Sequence, residues 1–188
     1  GALGFLQTQH QSAASLIAKG SNEGLQSSVL PLMADGSRLV GVGFSQLRRS
    51  GPPLVVAEEV QGGYRLTGRV PWVTGHGFFQ EFLAAGELPD GRAVLGLVPL
   101  EDSEGVTVGP RMRLSAFEVA NTVAVDLDSR FVPDAGVAGV QPRGWVQEND
   151  MLNVVLQGYF ALGCALAASD LVLKSAERKS SKRLHAAH

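Results

Sequence analysis

Three regimes of hydrophobic patterning divide the chain. From residue 4 to 18 apolar positions recur at helical spacing, with Leu6, Ala13, Ala14, Ile17 and Ala18 on one face and His10 on or beside it. Gly20-Ser21-Asn22 stops that helix, and Asn22 reads as the N-cap of a second. The second helix is expected from Glu23 to Ala34, with Leu25, Val29, Leu30 and Leu32 inward. Pro31 predicts a kink or a break in it, and Asp35-Gly36 ends it.

From Arg38 the period falls to two. Strands are expected at 39–44, 54–60, 64–74, 82–86, 93–100, 106–108 and 121–131. Pro89-Asp90-Gly91 reads as a hairpin turn. The run from Gly62 to Gly77 reads as two strand halves joined through a tight turn and ending in Trp-Val-Thr-Gly. Strands at such short spacing suggest a small barrel or sandwich. After Val132-Pro133 the pattern reads as loop to about Glu148. A long helix then runs from Met151 to about Ser180. Its first half is apolar nearly all round (Leu152, Val154, Val155, Leu156, Tyr159, Phe160, Leu162), so it needs cover from other helices, of another domain or another chain.

The totals narrow the class. A chain of 188 residues with 45% hydrophobic and 18% charged content forms a folded core rather than a disordered coil. A net charge of −2 argues against a nucleic-acid binder held by phosphate contacts. The sequence lacks a signal-peptide pattern and any run of roughly 18 apolar residues. The lone Cys164 precludes an internal disulfide, points to a reducing compartment, and reads as a small buried hydrophobe in its helix. His185 and His188 have a spacing that permits a helical metal pair, but no further ligand is in view and a frayed terminus fits better.

Candidate chemistry concentrates in the Gly62–Gly77 run. A Trp beside a Thr at a strand end suits a flat aromatic ligand, the indole stacking on it and the hydroxyl bonding its edge. On pattern alone, a core aromatic and a strand-capping hydroxyl are the better reading of Trp72 and Thr74.

In this order, the residues resemble the acyl-CoA dehydrogenase family. Residues 17–23 with 29–36, reading Ile-Ala-Lys-Gly-Ser-Asn-Glu and Val-Leu-Pro-Leu-Met-Ala-Asp-Gly, resemble the passage that closes its N-terminal helical domain. Residues 62–74, Gly-Gly-Tyr-Arg-Leu-Thr-Gly-Arg-Val-Pro-Trp-Val-Thr, match its G-G-Y-x-L-N-G-x-K-x-W-I-T motif. The passage from Val125-Asp126-Leu127 to Val132-Pro133 resembles the return of its middle barrel to the helices. Leu162-Gly163-Cys164-Ala165 and Glu177-Arg178-Lys179 resemble the L-G-x-A and E-R-K of its first C-terminal helix. The resemblance spans essentially the whole chain.

It implies an α+β fold with a central small β-barrel flanked by helices, present here in part. Residues 1–37 would end the N-terminal helical domain, 38–135 form the middle β-barrel domain, and 148–188 begin the C-terminal helical domain. It implies a flavoprotein oxidoreductase of fatty acid metabolism that holds FAD and removes two hydrogens from the α and β carbons of an acyl-CoA. A cytoplasmic homo-oligomer, dimer or tetramer, with an electron-acceptor protein as a further partner, is expected, without nucleic acid or membrane span. By the same resemblance Trp72 stacks near the isoalloxazine, Thr74 bonds its edge, Ser45 keeps the hydroxyl of the family's T-E-P loop, and Phe44 precedes it in the flavin wall.

The chain departs from that pattern in three places. After Ser45 it reads Gln46-Leu47-Arg48-Arg49-Ser50-Gly51-Pro52-Pro53, without the family's Glu, Ser and Asp. An Arg pair there suits an anion or simply a solvated loop. Asn153 stands where some members carry the catalytic Glu, and an amide cannot take a proton. Ser180-Ser181 follows the E-R-K where the family has x-F-G. The catalytic residue is therefore unassigned. Two further readings stay open: a flavin monooxygenase on the same fold, and a non-catalytic module that keeps the barrel.

Overall fold

The computed structural model describes residues 1–186 of the chain, without the side chains of 153–157, 160 and 180–186. Residues Gly1–Trp145 form one compact unit and a second begins at Val146. The first unit opens with α1 (Ala2–Lys19) and α2 (Glu23–Ala34). Asn22 caps α2 as expected, its side-chain oxygen accepting from Leu25 N–H at 3.0 Å. The same side chain donates to the carbonyls of Asp134 and Val137, each at 2.9 Å. Pro31 does not break α2, which runs through it to Ala34. The helical phase is therefore kept, so Met33 follows Leu25 and Val29 into the core while Leu32 is exposed, contrary to expectation. Both ring nitrogens of His10 are engaged by backbone. Nδ1 accepts from Val40 N–H at 3.1 Å, and Nε2 lies 3.2 Å from Met33 O. His10 is thus a packed helix residue that ties α1 to its neighbours.

Eight strands follow: β1 (Val40–Gly43), β2 (Val55–Val60), β3 (Gly63–Thr74), β4 (Glu81–Glu87), β5 (Ala93–Pro99), β6 (Val106–Val108), β7 (Thr122–Pro133) and β8 (Val137–Gln141). They form one sheet in the order β6-β7-β3-β2-β4-β5-β8, with β1 parallel to β4. The join between β2 and β4 is a single pair, Val56 with Glu87. On either side of that thin seam the two halves curl over a shared core of Val55, Leu66, Val70, Phe82, Val94, Val125 and Val132. The expected loop after Pro133 proves to contain β8, which pairs antiparallel with β5.

A second core lies on the other face of β4 and β5. Leu83, Ala85, Leu95 and Leu97 point there, against Ala13, Ile17, Leu25, Val29 and Met33 of the helices. Phe82, Ala84, Val94 and Val98 point into the barrel. This two-sided burial explains why β4 and β5 are apolar at consecutive positions, where half-buried strands alternate.

No tight turn divides the strand within the Gly62–Gly77 run; the turns lie at its two ends, at Gly62 and Gly77. β3 is one continuous strand of 12 residues, and its irregularities are β-bulges against β7. Between Val70↔Val125 and Val73↔Val123, β3 spends three steps where β7 spends two. Pro71 lies inside that step, has no N–H to give to the ladder, and so accounts for the slip.

In the second unit, α3 runs Trp145–Ala186, six residues earlier in its start than the pattern suggested. From Met151 on its described apolar side chains, among them Leu152, Tyr159, Leu162, Leu166 and Leu173, are exposed. Cys164 is exposed as well, where a buried thiol was expected. Asn153, His185 and His188 lie outside the described side chains. No helix among the described residues is long and apolar enough to cross a membrane.

Candidate functional site

The bulge at Pro71 decides where Trp72 points. Val70 and Val73 both face the core, so the two residues between them are turned outward, and Trp72 is 50% exposed. An indole held half in solvent on a rigid strand is a surface available to a flat ligand. The reading of Trp72 as a core aromatic does not fit this placement.

Thr74 ends the strand and is buried, 8% exposed. Its hydroxyl lies 3.1 Å from that of Thr122, its directly paired residue at the start of β7. Past Thr74 the chain swings away at Gly75, whose φ of 102° favours glycine. A side chain at Gly75 would also meet the Phe79 ring, 2.3 Å from the nearest carbon. Asn121 fixes this exit: its carbonyl accepts from Gly75 and His76 N–H, and its amide donates to His76 O at 3.0 Å. Asn121 itself takes a φ of 52°, a left-handed conformation that Asn tolerates.

β1 brings the other two candidates to the same strand. It passes beside β3, close enough that a side chain on Gly41 would stand 3.4 Å from Thr74 O, and one on Gly43 2.9 Å from Val70 Cγ1. Those two contacts bracket Trp72 along β3. Phe44 and the turn Ser45–Arg48 follow at once, and that turn packs on β3. Phe44 sits between Trp145, 5.7 Å away between ring centroids, and the Arg48 guanidinium, 5.2 Å above its ring. It belongs to the helix-side core.

Two buried polar atoms in this turn have no hydrogen-bond partner among the described residues, Ser45 Oγ and Gln46 Oε1. Gln46 is 5% exposed, and its amide nitrogen already donates to Ala85 O at 2.9 Å and to Gly43 O at 3.3 Å. Unpartnered buried polar atoms are costly, and their pairing at one turn marks a place where a polar ligand would be stabilised. Phe44, Ser45, Trp72 and Thr74 thus lie along one junction of β1 with β3. Sequence reasoning missed Asn121 and Thr122 as parts of it. The break between a loop and an alternating strand at Asn121 was the only signal for either.

An open cleft lies elsewhere. It is an open groove of about 550 Å³ at the opposite end of β3, lined by Asn22, Tyr64, Asp134, Val137 and Val140 among others. The groove gathers none of the four candidates. The junction of β1 and β3, with its half-exposed indole and unpartnered polar atoms, is the stronger site on chemical grounds.

This architecture is the acyl-CoA dehydrogenase fold. A structure described as a FAD-dependent dehydrogenase is similar with a TM-score of 0.65 and 19% identity, over 74% of this chain and 40% of that one. Butyryl-CoA dehydrogenase from Megasphaera elsdenii is similar with a TM-score of 0.64 and 15% identity, over 77% of this chain and 40% of that one. Glutaryl-CoA dehydrogenase from Mycobacterium smegmatis, in complex with FADH2, gives 0.59 and 19%, over 70% and 34%. The chain therefore spans about two fifths of such structures or less. No protein-family model matches the sequence, and no curated protein matches it.

Proposed function

We propose that this chain supplies one wall of a FAD site in an oxidoreductase of acyl-CoA dehydrogenase type, acting in α,β-dehydrogenation of an acyl-CoA thioester. The observation that carries the reading is the placement of Trp72, turned outward by the Pro71 bulge beside the Thr74 hydroxyl, in a fold shared with FAD-dependent dehydrogenases. The residues present suit the group. Trp72 offers a stacking face, Thr74 a hydroxyl at the strand end, and Ser45 and Gln46 offer buried polar atoms that lack partners among the described residues. Phe44 closes the apolar flank of the same turn. When bound, FAD supplies the hydride acceptor, and the protein's part is to place and orient the ring.

The base that removes the α proton is not assigned in this chain. Asn153, at the one base position considered, is an amide, and amides do not take protons at neutral pH. The exposed apolar side chains of α3 support assembly with further helices, consistent with a homo-oligomer, and an electron-acceptor protein would complete the reaction. The test is anaerobic titration of the FAD-loaded intact protein with acyl-CoA thioesters. Bleaching of the flavin band supports the dehydrogenase. A flavin that only NAD(P)H or a reductase reduces would instead indicate a monooxygenase.

A further inference from the structure

We propose that Gln46 is a positioning residue: its amide replaces a missing rung of the sheet and so holds the turn that carries Phe44 and Ser45 against β4. The consequence for a ligand rests on the flavin reading above; the clamp itself needs no ligand.

β1 and β2 lie end to end along the edge of β4 that β5 does not occupy. β1 pairs with β4 as far as Gly43↔Ala84, and β2 pairs with it only at Val56↔Glu87. Ala85 and Gly86 fall in the gap, where the chain leaves β1 for the turn Ser45–Arg48. One more rung would set Phe44 against Ala85. Gln46 supplies the bond instead. Its Nε2 donates to Ala85 O at 2.9 Å, and to Gly43 O at the end of β1 at 3.3 Å. One side chain, 5% exposed, thus ties β1, the turn and β4 together at the thin seam between the two halves of the sheet.

Both amide protons are spent on carbonyls, which fixes the orientation of the amide. Reversed, Oε1 would face two acceptors. The position therefore demands a buried side chain that donates twice, and at this length only Gln does so without a charge. Glu, which the family pattern has here, accepts when ionised and donates once when protonated. Burial against two carbonyl oxygens disfavours its charged form. The charged groups on the turn, β3 and β4 are Arg48, Arg49, Arg65, Arg69, Glu81 and Glu87; β1 has none, and none of the four carries a histidine. In Gln46→Glu the carboxyl is the group added to the titration. Its penalty begins above the ordinary Glu pKa near 4.3 and levels off above the raised folded value.

The test measures urea midpoints without ligand, and FAD affinity, for the intact protein at about pH 5 and about pH 8. The set is wild type, Gln46→Glu and Gln46→Met, with folding checked by circular dichroism. Relative to wild type, the stability deficit of Gln46→Glu should grow from the lower pH to the higher. Its FAD affinity should be about tenfold below wild type at the higher pH and closer to it at the lower. Gln46→Met, which cannot titrate, should show the same deficits at both. If Gln46→Glu does not fold at the higher pH, Gln46→Met carries the FAD comparison. A Gln46→Glu stability deficit that ignores pH overturns the demand for a double donor. Folded variants that bind FAD as wild type does overturn the positioning role and leave Gln46 a stability element only. A wild type that takes up no FAD overturns the flavin reading itself, and the urea midpoints then decide the clamp alone.

Discussion

Gly43 and Val70 touch where β1 passes β3: a Cβ on Gly43 would lie 2.9 Å from Val70 Cγ1 and 2.7 Å from Phe82 Cδ2. Both neighbours are buried and cannot withdraw. Gly43→Ala is expected to cost about 1–3 kcal/mol by overpacking. It should also displace Phe44 and Ser45, the next two residues of the chain. Urea unfolding and FAD uptake check the two consequences, and both should fall together.

Trp72 should matter more to ligand binding than to folding. A fully buried Trp changed to Ala costs about 3–5 kcal/mol. Half exposed on a bulge, Trp72→Ala should cost clearly less, about 1–2 kcal/mol, with flavin retention reduced at least tenfold. Denaturant midpoints and flavin-to-protein ratios in the same preparations separate the two effects. A core-sized stability loss would restore the view of Trp72 as a packing residue.

Asn22 joins a helix cap to the β8 end of the sheet, and its two roles can be parted. Asn22→Ala loses the cap acceptor, worth about 1 kcal/mol, and the bonds to Asp134 O and Val137 O, worth about 0.5–1.5 kcal/mol each. Asn22→Asp keeps the cap and loses only the donors. Chemical denaturation should rank wild type above Asp, and Asp above Ala.

Tyr64 gives an alkaline dependence with a definite sign. Burial raises its phenol above the ordinary value near 10, and Glu59 adds to the rise. The folded state therefore holds the phenolic proton more tightly than the unfolded chain does. That stabilisation is complete below the unfolded pKa and is lost as pH rises through the folded pKa. Stability should decline above about pH 10 in wild type and less steeply in Tyr64→Phe. Urea midpoints across about pH 8.5–11 check it.

Much of the fold was legible because burial writes itself into period. The Asn22 cap, the hairpin at Asp90 and the alternation of Val123, Val125 and Leu127 all appear where local pattern placed them. Local pattern failed where a long-range partner decided the outcome. Val137–Gln141 is a strand because β5 offers it an edge, and its own five residues carry too little alternation to show that. The pattern suggests a tight turn within the Gly62–Gly77 run, but β7 holds the strand on both sides of Pro71 and the slip becomes a bulge. Trp72 and Thr74 stood out as residue types. Thr122 did not, because only the register of β3 with β7 brings it to Thr74. The burial of Gln46 depends in the same way on Ala85, which is 39 residues away.

The central claim, that the junction of β1 and β3 is a flavin wall, is tested most directly by the visible absorption spectrum of the purified intact protein after incubation with FAD and gel filtration. The account predicts a retained flavin band in wild type that is lost in Trp72→Ala and reduced in Thr74→Ala. A wild type that carries no flavin, or variants that retain it as fully as wild type, would contradict it.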